Sequence, residues 1–148
     1  YMNKLTIELI PKTSFFVNLR TMLKPSQWDF IRKIVYTEAG NVCEICGGKG
    51  RKHPVECHEK WEYDESTGIQ KLVGLIALCP SCHAVKHAGF WINVKNQRHI
   101  VVNQLKKVNQ ITAEEANNLI EDAFKIWEYM SQRKWKVEID FINNYLPD

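Results

Sequence analysis

Apolar and polar residues alternate at both ends of the chain and repeat at helical spacing between them. Leu5, Ile7 and Leu9 alternate with Thr6 and Glu8, the period of a half-buried strand that Pro11 ends. Ser14 is placed to cap a short helix carrying Phe15, Val17 and Leu19. A longer helix is predicted from Ser26, with Asp29 three residues on as the capping-box acid. Its Trp28, Ile31 and Val35 share one face, and Gly40 is a natural terminator. Residues 54–63 alternate again, Asp64 to Gly68 is a turn cluster, and Ile69 to Leu78 returns as a more continuously apolar strand. Pro80 suits the first turn of a short helix ending at Gly89.

Beyond Gly89, residues 98–109 predict a helix with Val101, Leu105 and Val108 inward. Thr112 and Glu115 form a capping box for the next one, where Ala116, Leu119, Ile120, Ala123, Phe124, Trp127 and Met130 make a core-facing stripe. Val137, Ile139 and Phe141 alternate once more. This last strand is expected to pair with the first, so that the termini meet in a small sheet. Tyr1 stands ahead of Met2 and is set aside. The expected architecture is α+β, a single domain over 2–148. It has a strand–turn–strand–helix core at 40–90 and a helical C-terminal extension at 91–148 that ends in a strand.

With 148 residues, 45% hydrophobic and 25% charged, the chain can bury a core of ordinary size. No apolar run approaches the ~20 residues that cross a bilayer, and Asn3 to Thr13 mixes charge into a short alternating segment. A soluble, cytoplasmic protein without a membrane partner is expected. The net charge of +3 permits a nucleic-acid partner without requiring one.

The cysteines change the picture. Cys43 and Cys46 form one Cys-x2-Cys pair, Cys79 and Cys82 another, and 32 residues separate them. That spacing fits a single tetrahedral zinc site better than disulfides, and thiolates held on zinc require a reducing compartment. Four thiolates close the coordination, so this site is expected to be structural, clamping hairpin and helix together. Gly47 and Gly48 suit the tight backbone of a knuckle. His83 and His87 follow Cys82 directly. At i, i+4 on a helix their Cβ atoms lie ~6 Å apart on one face, a chelating distance for one ion. His58, in the run Val55-Glu-Cys57-His58-Glu59, can point across at that helix. It is a candidate general base beside a hydrated metal, or one ligand of a second closed zinc site. Arg51 and Lys52 after the knuckle, with Lys60 and Lys71 on the hairpin, are candidate phosphate contacts. Lys95, Arg98, Lys106 and Lys107 form a second basic group, and Trp61 and Tyr63 are candidate stacking residues.

Cys43-x2-Cys46, the strand Val55-Glu-Cys57-His58-Glu59 and Leu78-Cys-Pro-Ser-Cys-His83-x3-His87 together resemble the HNH endonucleases, whose core is a treble-clef-like ββα-metal unit. The likeness spans about 40–90, and the flanks look like those of small uncharacterised HNH-type proteins. It implies metal-dependent hydrolysis of phosphodiester bonds, DNA ahead of RNA. It assigns His58 to water activation and Cys57, His83 and His87 to the catalytic metal, with Glu56 and Glu59 as carboxylates near the Cys57 position. The implied cofactors are a structural Zn2+ and a second divalent ion: Zn2+, Mg2+, Mn2+ or Ni2+. A soft thiolate at Cys57 favours the zinc-like ions. Gly74 falls where the family carries its middle Asn. The alternative is a catalytically inactive, zinc-stabilised module binding nucleic acid or protein, with Cys57, His58, His83 and His87 closing a second zinc site.

Overall fold

A computed structural model describes residues 3–146, and the fold is α+β. The elements are α1 (Leu19–Met22), α2 (Pro25–Glu38), β1 (Glu56–Asp64), β2 (Ile69–Leu78), α3 (Pro80–Lys86), α4 (Arg98–Asn109), α5 (Ala113–Met130) and β3 (Lys136–Glu138). Strand β2 and helix α4 have the bounds the sequence pattern predicts. Helix α2 begins one residue before Ser26, and Gln27 rather than Asp29 reaches back to its start, Oε1 accepting from Lys24 N–H at 3.0 Å. Asp29 instead pairs with Arg32 and Lys33 along the helix. Ser14 caps no helix: it ends a 3-10 turn and donates to Gln70 at 2.6 Å, while Asn18 caps α1. Thr112 and Glu115 form the expected reciprocal cap of α5. Beyond α3 the chain does not stop at Gly89 but continues into a π-helical turn over Phe90–Val94.

The terminal sheet is not formed as expected. Residues 5–10 belong to no strand, and β3 pairs in parallel with β2 (Gln70 opposite Val137), giving the order β1-β2-β3. The cause is local. Leu5 N–H donates to Asn109 Oδ1 at 2.9 Å, and Asn109 Nδ2 donates to Leu5 C=O at 2.8 Å. A side-chain amide on α4 therefore does what a neighbouring strand would do. Lys86 Nζ donates to Thr6 C=O (2.7 Å) and Trp127 Nε1 to Ile10 C=O (3.0 Å), so helices hold the segment at two further points. The two ends still approach: Thr13 Oγ1 donates to Arg133 C=O. After β3 the chain turns into a 3-10 segment, Asp140–Asn144, instead of extending the strand through Phe141.

Strand alternation sends the hairpin's side chains to two separate cores. One face, carrying Cys57 and Ala77 and further on Leu72, packs on α2 through Val35 and Ile31. The other carries Leu78 and Ile76 and packs with Val85, Val101, Leu105 and Ile120 of the helical layer. Each fully buried Leu or Ile there contributes about 1.5–3 kcal/mol of transfer free energy. The register slips between Lys60 and Trp61, which face Gly74 and Leu72, so Val73 is the additional residue of a bulge. Without it Leu72 and Gln70, both buried, would turn to the wrong face.

Candidate metal centres

The sulfur atoms of Cys43, Cys46, Cys79 and Cys82 all lie within 4.8 Å of one another, with Cys46 and Cys79 3.6 Å apart. Thiolates around a tetrahedral zinc at ~2.3 Å stand about 3.8 Å apart, so these four fit such an ion. Local backbone builds both knuckles. Gly47, at φ 76°, returns its N–H to Cys43 C=O at 2.9 Å, a conformation costly for a residue with a Cβ. Amides of Cys46, Gly48 and Cys82 point at the sulfurs of Cys43, Cys46 and Cys79, and Gln104 Nε2 points at Cys82. Glu44 ties the first knuckle to β2, its N–H donating to Ala77 C=O (2.9 Å) and its carboxylate accepting from Ala77 N–H (2.6 Å). The second pair follows directly at the start of α3. The crowding is electrostatic as well as steric. A hydrogen bond from Cys82 holds the Cys43 thiol down at about 4, while that same bond and burial push Cys82 up. Such a set ionises fully only around a cation, and the four cysteines can hold one such as zinc.

The second group is His58, His83 and His87. One ligand atom from each lies within 4.8 Å of the others. His58 comes from β1, and His83 and His87 from α3 and its C-terminal cap, with their Nε2 atoms 3.0 Å apart. Burial first, then the two neighbouring imidazoles, lowers His58 to about 2. His87 reaches solvent but sits in the wall of a cavity, and this partial burial with His83 beside it lowers it to about 4. Both rings are neutral near pH 7, with lone pairs free for a metal or a proton.

Glu56, a candidate carboxylate in place of Cys57, instead supports the histidines. It lies two positions before His58, on the same face of β1. Its Oε1 is 2.9 Å from His83 Nδ1 and its Oε2 2.9 Å from His53 Nε2. Burial pushes this carboxyl up, but the bonds to His83 and His53 outweigh it and leave it below its ordinary value. An ionised Glu56 fixes the Nδ1–H tautomer of His83 and leaves Nε2 free toward His87, the usual support of a metal-binding imidazole. The 50–54 loop supplies His53. Gly50 N–H closes this loop onto Pro54 C=O at 3.0 Å, and a Cβ at Gly50 would fall 2.3 Å from His53 C=O.

Cys57 does not join this centre, contrary to the expectation that it is a catalytic-metal ligand. Adjacent strand residues face opposite ways, so with His58 turned to α3 the Cys57 thiol enters the core beside Val35, Val55 and Ala77. Burial there pushes it up to about 12, the behaviour of a small apolar side chain. Glu59, on that same side of the strand, is also remote from ligand duty; it accepts weakly from Leu19 N–H, and burial raises it to about 7. The basic candidates do not converge. Arg51 and Lys52 are exposed on the loop beside His53, Lys60 is exposed two residues past His58, and Lys71 lies at the far end of the hairpin beside β3. Arg98 is engaged by Asn117 and Glu121. Gly74 pairs with Lys60, and a Cβ there meets only ordinary contacts with that lysine.

No family model, curated protein or solved structure matches this chain. Among the described residues, no helix is long and apolar enough to cross a membrane.

Proposed function

We propose that this protein is a metal-dependent endonuclease of the HNH type, hydrolysing phosphodiester bonds in nucleic acid, DNA ahead of RNA, on a ββα-metal core. One observation carries the reading: an imidazole from the hairpin, His58, meets His83 and His87 from the helix that follows it. The cysteine cluster is the structural zinc site, which suits a reducing compartment such as the cytoplasm. His83 and His87 hold the second divalent ion, and Glu56 orients His83. That ion, when bound, polarises a phosphoryl oxygen and stabilises the leaving oxygen. His58 accepts the proton of the attacking water, and Arg51, Lys52 and Lys60 are nearest to receive flanking phosphates.

The inactive module needs Cys57 as the fourth ligand of a second closed site, and the thiol's place in the core removes that ligand. Three imidazoles beside a cavity leave room for water and substrate, as catalytic sites do.

The test compares plasmid and single-strand cleavage with Mg2+, Mn2+, Co2+, Ni2+ and Zn2+ for wild type, His58→Ala and His83→Ala, with bound metal measured in parallel. Loss of the base is expected to slow cleavage about 10²–10⁴-fold with both metals retained. Loss of the second metal in His58→Ala would make His58 a ligand rather than the base. Cleavage surviving in both variants would belong to a contaminant and reject the assignment.

A further inference from the structure

A cavity of about 630 Å3 opens beside the histidine centre, and His58 and His87 are part of its wall. It lies along β1, which is the outer strand of the sheet, and is closed on the far side by residues 8–16 and by the π-helical turn after α3. Its lining is mainly apolar and includes Phe15, Phe16, Phe90 and Trp127; Trp61 and Tyr63 reach it from β1, Trp61 also packing in the core beside α2 and Tyr63 against Trp135. Phe16 is 80% exposed and Phe90 43%, a large apolar surface to leave in water. Polar groups sit among these rings. Glu8 is held by Lys86 at 2.8 Å, and Glu59 faces Leu19 N–H. Lys60 and Lys12 have no carboxylate partner among the described residues; Lys12 Nζ rests over the Trp127 ring at 4.7 Å.

We propose that this cavity binds an unpaired nucleobase next to the scissile phosphate, so the substrate is single-stranded or locally unpaired nucleic acid. This rests on the endonuclease reading for its position and deepens it. The volume lies within the range of small-ligand sites, about 300–1,000 Å3, and accommodates a base with its sugar. Stacking on aromatic rings needs the π-face of a base, which a paired duplex keeps covered. Two ammonium groups without a carboxylate partner among the described residues complement an anionic chain bearing aromatic rings better than they complement a neutral apolar ligand. The shared wall puts the base and the phosphate attached to it in neighbouring sites, one apolar and one metal-binding.

Binding separates this from cleavage. The full chain, carrying its metals, is titrated by fluorescence anisotropy with a short single-stranded oligodeoxynucleotide, its duplex, and an abasic strand of the same length. Calcium replaces the activating ion in all three titrations. The single strand is expected to bind about tenfold more tightly than either competitor, and Phe16→Ala and Phe90→Ala each to reduce that preference about fivefold. Both side chains are surface-exposed, so neither change hollows the core. Equal affinity for the three probes, or a preference untouched by both substitutions, overturns the proposal. Base-dependent binding without cleavage of any strand refutes the endonuclease and keeps the pocket. Duplex cleavage without base dependence does the reverse.

Discussion

The cysteine cluster and the histidine cluster hang from the same short helix, yet they are built for opposite ends. Cys82 and His83 are adjacent, about 100° apart around α3. One turns into the helical core with Cys43 and Cys79, backed by amide hydrogens and by Gln104. The other turns outward to meet His58 and His87 at the edge of a cavity. Three of the four cysteines are buried, while His87 is open to solvent. Four soft donors, three of them buried, can close the coordination of one ion; imidazoles on a rim can leave positions free. Neighbouring residues thus serve two separate clusters by helical geometry alone.

The largest effect that tests this contrast is loss of the sealed site. Cys82→Ser is expected to remove one metal equivalent and abolish cooperative thermal unfolding followed by circular dichroism, because structural zinc supplies about 10–16 kcal/mol in small domains. His87→Ala should keep both the fold and the cysteine-bound metal. If the two substitutions cost the same stability, the division of labour is wrong.

A smaller effect sharpens the open site. Glu56→Gln is expected to weaken metal binding at the histidines about 10–100-fold by calorimetry, leaving the cysteine-bound metal and the melting temperature nearly unchanged. Unaltered affinity would mean that the contact with His83 is incidental.

The smallest effect lies on the other face of the hairpin. Burial raises Glu59 to about 7, above its ordinary value of 4.5. A group whose folded value is raised favours the folded state fully below about 4.5 and loses that contribution as pH climbs through about 7. Glu59→Gln should therefore gain stability relative to wild type between pH 5 and 8 in parallel melts. A constant difference across that window would show that the carboxyl is not desolvated.

Much of this could be read from the chain, for reasons that also explain the failures. The bounds of β2 and α4 and the cap of α5 are local properties, written in periodicity and in one Thr–Glu pair. The cysteine cluster was legible because two knuckles declare themselves by spacing. Segment 5–9 was misread because its alternation is that of a strand, and nothing local reveals that the partner is Asn109, 104 residues on. Cys57 was misassigned although a signal was present: a strand that turns His58 toward the helix must turn its neighbour away. The same rule separates the two candidate carboxylates: Glu56 shares the His58 face and Glu59 does not.

The position of Asn109 has a further consequence. One amide grips the opening segment at Leu5, and that segment adds no strand to the sheet. The free margin of β1 and residues 8–16 therefore face one another across the hollow beside the histidines, held apart rather than zipped together.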